Sequence, residues 1–113
     1  MPRDYRLYLD DILESCRRVR QYTDGISLEE FRTDLKTQDA VTRNFEKIGE
    51  AAKHLPDHIK AEYRGIEWKK ITAFRNVLIH EYFGIKVETL WDVVKEKIPA
   101  LEEQTKTILS EHT

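Results

Sequence analysis

Eight residues, Arg75-Asn76-Val77-Leu78-Ile79-His80-Glu81-Tyr82, put a guanidinium, an imidazole and a phenol on one short stretch of chain. Arg75 falls where the surrounding helical pattern asks for an apolar residue, and His80 follows five positions on. A planar guanidinium can grip phosphate oxygens, and an imidazole exchanges protons near neutral pH. Together they are the minimum equipment for cutting RNA without a metal, because RNA carries its own nucleophile in the 2′-hydroxyl. A protein then needs only to move protons and stabilise charge on phosphorus. Each residue also has a purely structural reading. Arg75 can pair with a carboxylate, Glu46 or Glu50, and His80 can be a helix cap or a surface residue.

Competing chemistries find no motif. No cluster of His, Asp or Cys has metal-ligand spacing: His54 and His58 are four apart, but Pro56 between them breaks the helix. The chain has no Gly-rich phosphate cradle and no Gly-x-Ser-x-Gly, so a nucleotide hydrolase, an esterase and a bound cofactor are all without support.

The elements that must position these residues read as all-α. A first helix is expected from about Asp4 to Tyr22, with Tyr5, Leu9, Ile12, Cys16 and Val19 as its apolar stripe and Thr23-Asp24-Gly25 as its end. Ser27-Leu28-Glu29-Glu30 is a capping box that opens a short helix carrying Phe31. A second long helix covers about Asp34 to His54, with Val41, Phe45, Ile48, Ala52 and Leu55 facing the core and Pro56 stopping it. A short turn through Ile59 and Tyr63 leads to a third long helix, from near Glu67 to no later than Gly84, using Trp68, Ile71, Phe74 and Leu78. The last runs from about Val87 through Val94 to Leu109, with a kink or restart at Pro99. Four long helices with short connections predict an up-and-down antiparallel bundle forming a single domain over residues 1–113.

On a wheel of the third helix with Ile71 at 0°, Arg75 falls near +40° inside the apolar stripe and His80 near 180°, about 140° away. Two arrangements can unite them. Either the helix loosens before Gly84 and re-aims His80, or two copies of the chain bring their motifs into one cleft, as a two-fold dimer would. Gly49 and Ala51, small residues beside the second helix's stripe, permit close backbone approach, either in the core or at a dimer seam. Tyr82, near +20° on the same wheel, reads as core.

The 113 residues hold 40% hydrophobic and 35% charged side chains with only 4 Gly and 3 Pro, which favours long helices around one core. No apolar run approaches the roughly 18 residues of a membrane span, and the Met-Pro-Arg-Asp start lacks a signal peptide's apolar region. The single cysteine, Cys16, suits a reducing cytoplasm. Net charge is 19 − 21 = −2, which argues against wholesale coating of nucleic acid. The clusters Arg17/Arg18/Arg20 and Lys69/Lys70 read either as solvated helix faces or as a local basic groove.

The chain resembles the HepT-like proteins of the HEPN superfamily, the toxin halves of toxin–antitoxin pairs whose partner is a minimal nucleotidyltransferase. The resemblance rests on Asp39-Ala40-Val41 and Arg43-Asn44-Phe45-Glu46-Lys47-Ile48-Gly49-Glu50-Ala51-Ala52, then Trp68-Lys69-Lys70-Ile71 leading into Arg75-Asn76 and His80-Glu81-Tyr82. Leu90-Trp91-Asp92-Val93-Val94 followed by Ile98-Pro99 completes it. It implies a dimeric α-helical bundle with a metal-independent endoribonuclease site at the dimer cleft. Arg75 and His80 would be the catalytic pair, Asn76 the accompanying polar residue, and transfer or messenger RNA the substrate. Tyr82 would be the tyrosine that the partner modifies with adenylate to silence a type VII toxin, which reverses the core reading of the wheel. The rival expectation is a non-catalytic dimeric binding module for the nucleotidyltransferase or a nucleotide.

Overall fold

Asp4 opens the first helix by accepting a hydrogen bond from the Arg6 amide at 2.9 Å, and the chain stays helical for most of its length thereafter. The structure, a computed structural model, describes residues 4–112, with residue 82 described by its backbone alone. The helices are α1 Tyr5–Thr23, α2 Leu28–Thr33, α3 Leu35–Lys53, α4 Asp57–Glu62, α5 Trp68–His80, α6 Val87–Asp92 and α7 Ile98–Glu111. No strand occurs among the described residues, and none of their helices is long and apolar enough to cross a membrane.

Each boundary has a local cause. Gly25, at φ 74°, takes the left-handed conformation that lets the chain leave α1. The Ser27 hydroxyl accepts from the Glu30 amide at 3.1 Å while Glu30 accepts from the Ser27 amide at 3.1 Å, so the expected capping box is present. Asp34 caps α3 through the Thr37 amide at 3.0 Å, and His54 ends it two residues before Pro56. The expected restart near Pro99 takes a specific form. Residues Val93–Lys97 make a π turn in which the Ile98 amide donates to the Val93 carbonyl five residues back. Pro99 follows in the first turn of α7, where its missing N–H does least harm.

The four long helices surround a core of Leu9, Ile12, Cys16, Val19, Val41, Phe45, Ile48, Ala52, Leu78, Val94, Ile98, Leu101 and Ile108, all buried. α1 lies between α3 and α7, and α5 packs along the far side of α3. Antiparallel order follows from what meets at each end. Tyr5 bonds His112 at 3.2 Å where α1 begins and α7 ends, and Arg20 grips both oxygens of the buried Glu102 at 2.9 Å where α1 ends and α7 begins. Tyr8 near the start of α1 stacks on His54 at the end of α3. Burial pushes the Cys16 thiol up to about 12, so it is an inert core group.

Candidate functional site

Gly49 decides how closely α5 lies on α3. A Cβ built there would stand 2.2 Å from the Arg75 Cβ, 2.8 Å from its Cγ and 3.3 Å from the Ile71 carbonyl oxygen. Gly49 therefore serves the core of one chain, and the Arg75 stem lies directly over it. Ala51, also buried, faces the other way and lines the cleft described next.

That cleft, about 430 Å³, has α3 as its floor and α1 and α5 as its walls. Arg75 enters it from α5 with its side chain 23% exposed. Of the two carboxylates that could hold it, Glu50 does: Arg75 Nη2 lies 2.7 Å from Glu50 Oε2. This is a short ion pair without a well-directed hydrogen bond, since that oxygen gains no aligned donor. Nη1 donates to Asn76 Oδ1 at 3.2 Å, and Nε is buried with no acceptor. The carboxylate's other oxygen accepts from His54 Nε2 at 3.0 Å, and the His54 ring stacks on Tyr8 at 5.3 Å with planes 19° apart. The His54 bond, acting against desolvation and helped by the Arg75 charge, holds the Glu50 carboxyl below its ordinary range.

The remaining walls are charged. Arg43 and Lys47, four apart on α3, line the cleft and make no ion pair among the described residues. Arg18 lines it too and is held by Glu14 at 2.8 Å, while Glu46 adds another carboxylate. Elsewhere in the basic clusters, Arg20 is taken by Glu102, and Lys70 by Glu67 at 2.6 Å.

His80 is the last residue of α5 and is exposed. The helix stays regular through it and gives way to a 3-10 turn only at Tyr82–Gly84. The first of the two arrangements, loosening that re-aims His80, is therefore not present, and the turn of about 140° from Arg75 persists. Arg75 lines the cleft and His80 does not. Asn76 is exposed and accepts from the Arg75 guanidinium. The backbone of Tyr82 begins a short 3-10 turn, Tyr82–Gly84, and its side chain lies outside the described residues. Among the described residues no group of three or more His, Cys, Asp or Glu can hold a metal ion. His54 and His58 sit in different helices' surroundings, the first on Glu50 and the second edge-on to Tyr5 at 6.1 Å.

Tyr8, Arg43, Lys47 and His54 were not expected beside Arg75. His54 carried a readable signal, because Glu50 and His54 are four apart on one helix and can bond. Tyr8 carried none, since nothing local relates the start of α1 to the end of α3.

A family model described as "HepT-like: Ribonuclease HepT-like" matches residues 12–108. The "Probable ribonuclease HepT" of Thermococcus cleftensis is 43% identical over 102 residues, which cover 90% of this chain and 93% of that protein. A "Putative RNase" of Methanocaldococcus jannaschii is 44% identical over 100 residues, covering 88% of this chain and 83% of that one. A second protein of that organism, "Gamma-glutamylcyclotransferase and putative RNase", is 40% identical over 111 residues, 98% of this chain but only 50% of its own length. The chain thus spans about half of that relative. No solved structure matches it. With the family's model covering most of the chain and relatives of this identity along nearly its whole length, the chain belongs to the HepT-like ribonuclease family.

Proposed function

We propose that the protein is a metal-independent endoribonuclease whose site combines Arg75 of one protomer with His80 of another across a two-fold dimer cleft. The observation that carries this reading is the Arg75 guanidinium, lodged in a charged cleft at the family's motif position with its side chain still 23% exposed. Each terminal nitrogen of the guanidinium carries a second N–H beyond its contact to Asn76 or Glu50, and phosphate oxygens are natural acceptors for those groups. The second element is separation: a regular α5 turns His80 away from its own Arg75, so a shared site needs a second copy. Exposed Ile79, at 43%, and Phe83, at 101%, flank the motif with apolar surface of the kind dimers cover.

The chemistry runs without a metal. His80 takes the proton of the 2′-hydroxyl as its oxygen bonds to phosphorus, and a histidine returns a proton to the 5′-oxygen as the P–O5′ bond breaks. Arg75 stabilises the charge on the non-bridging oxygens, and Asn76 steadies Arg75. The products are a 2′,3′-cyclic phosphate and a 5′-hydroxyl. In the cell this activity would be the toxin half of a type VII toxin–antitoxin system acting on transfer or messenger RNA in the cytoplasm. A partner nucleotidyltransferase would silence it by attaching adenylate to Tyr82, adding bulk and negative charge near the phosphate site.

Mixing the inactive variants Arg75→Ala and His80→Ala tests the shared cleft. A mixed dimer keeps one intact composite site, so the mixture should regain about a quarter of wild-type cleavage. No recovery, or a monomer in sedimentation at micromolar concentration, would rule out the shared site. One observation favours the rival reading of a non-catalytic platform for the nucleotidyltransferase: Asp11, Glu14, Glu46 and Glu50 match the cleft's four cations in number. RNA that stays intact with a purified, unmodified dimer would establish it.

A further inference from the structure

We propose that Glu50, itself held by His54, is a positioning residue that fixes the plane of the Arg75 guanidinium and masks its charge until RNA occupies the cleft. This rests on the reading that Arg75 grips an RNA phosphate. A guanidinium is planar, so holding both terminal nitrogens fixes where their remaining N–H groups point. Glu50 holds Nη2 in a 2.7 Å ion pair and Asn76 accepts from Nη1 at 3.2 Å while Nε is buried, so the second N–H of each terminal nitrogen is left for a phosphate. Glu50 is fixed in turn. His54 Nε2 donates to its Oε1 at 3.0 Å, and an ionised carboxylate only accepts, so the proton is on that nitrogen. The stacked Tyr8 ring sets the plane of His54. The line Tyr8, His54, Glu50, Arg75 runs from α1 over α3 to α5, so His54 bears on Arg75 through Glu50.

Charge gives this arrangement an unusual signature. Removing the Glu50 charge should strengthen attraction for a polyanion while loosening the guanidinium, so binding and turnover move in opposite senses. In Glu50→Gln, turnover should fall about tenfold while KM falls about threefold. Binding of a 2′-O-methyl RNA oligonucleotide, which lacks the attacking hydroxyl, should tighten, and its salt dependence should steepen by up to about 0.7 in log–log slope, the release expected for one more phosphate contact. His54→Ala should shift turnover and KM the same way by smaller factors. The double variant should be no worse than Glu50→Gln, because His54 acts only through Glu50.

Unchanged kinetics and unchanged salt slope in Glu50→Gln would overturn the proposal. A joint fall of turnover and melting temperature with KM constant would also overturn it, since that is what simple loss of packing gives. The two levels fail separately. A wild-type protein that binds the 2′-O-methyl RNA but leaves ordinary RNA intact refutes the nuclease reading, and the binding arm alone then decides the masking by Glu50.

Discussion

Replacing Gly49 with alanine tests whether the seam between α3 and α5 sets the site. The new Cβ would lie 2.2 Å from the Arg75 Cβ, where ordinary contact begins at 3.4 Å, so the two helices must separate by about 1.2 Å (3.4 − 2.2). A Cβ cannot rotate away, and the next nearest atom but one is backbone, so the strain should reach the upper end of overpacking, about 3 kcal/mol. Alanine returns about 1 kcal/mol as the better helix former. The net loss is about 2 kcal/mol, or on the order of 8 °C in melting temperature for a chain of this size. Because the displaced atom begins the Arg75 side chain, RNA cleavage should fall by roughly a hundredfold, the effect of a misplacement near 1 Å. Gly65→Ala is the matched control, with nothing within 4 Å of its added Cβ, and should change stability by less than about 0.5 kcal/mol. Thermal unfolding followed by circular dichroism, with cleavage of labelled RNA beside it, reads both effects. A Gly49→Ala protein that melts at or above the wild-type temperature would refute the argument from close approach.

His80→Ala should abolish cleavage with helical circular dichroism unchanged, and wild-type cleavage should survive a chelator; loss of activity with chelator would contradict the metal-independent reading. Arg75→Lys should fail to cleave, since an ammonium cannot reproduce the planar fork, yet melt near the wild type because Glu50 keeps His54 as a partner. Tyr82→Phe should keep cleavage but escape the nucleotidyltransferase, and mass spectrometry of the co-expressed wild type should find adenylate on the Tyr82 peptide. The Glu102 carboxyl, despite a burial that works against it, is held below its ordinary range by Arg20 and Lys106. A lowered folded value means that its contribution is full above the unfolded value of 4.5 and is lost as pH falls below it. The melting temperature of Glu102→Gln should therefore decline less steeply than wild type below about pH 4.5.

Much of the fold was legible because helix ends are decided locally. The Ser27–Glu30 box, Asp34 before α3 and Pro56 after it each act within a turn, and each boundary lies where those residues put it. The break before α7 was legible only as a consequence of Pro99; that it would be a π turn depends on how α6 meets α2 and α7 meets α1, which no local pattern records. At the site, the wheel separation of Arg75 and His80 persists because α5 is regular. The choice between Glu46 and Glu50 was not legible. The two are one turn apart on α3, so only the axial register of α5 selects between them, and Gly49 sets that register by where it admits the Arg75 stem. The α1 wall of the cleft, with Tyr8 and Arg18, depends on a tertiary pairing with no trace in local spacing.

The π turn at Val93–Lys97 gives the final third of the chain a phase that its length alone does not. Before it, Trp91 meets Phe31 of α2 with ring centroids 5.0 Å apart; after it, Ile98, Leu101, Thr105 and Ile108 are buried, and α7 packs on α1. Reaching back five residues instead of four takes one extra residue into the turn, and one residue is about 100° of rotation. The extra residue thus works as a screw adjustment between two helices that would otherwise share one stripe. Deleting one residue here would shorten the chain by a trivial distance yet spin all of α7 by a quarter turn or more, carrying Glu102 away from Arg20 and its apolar row out of the core.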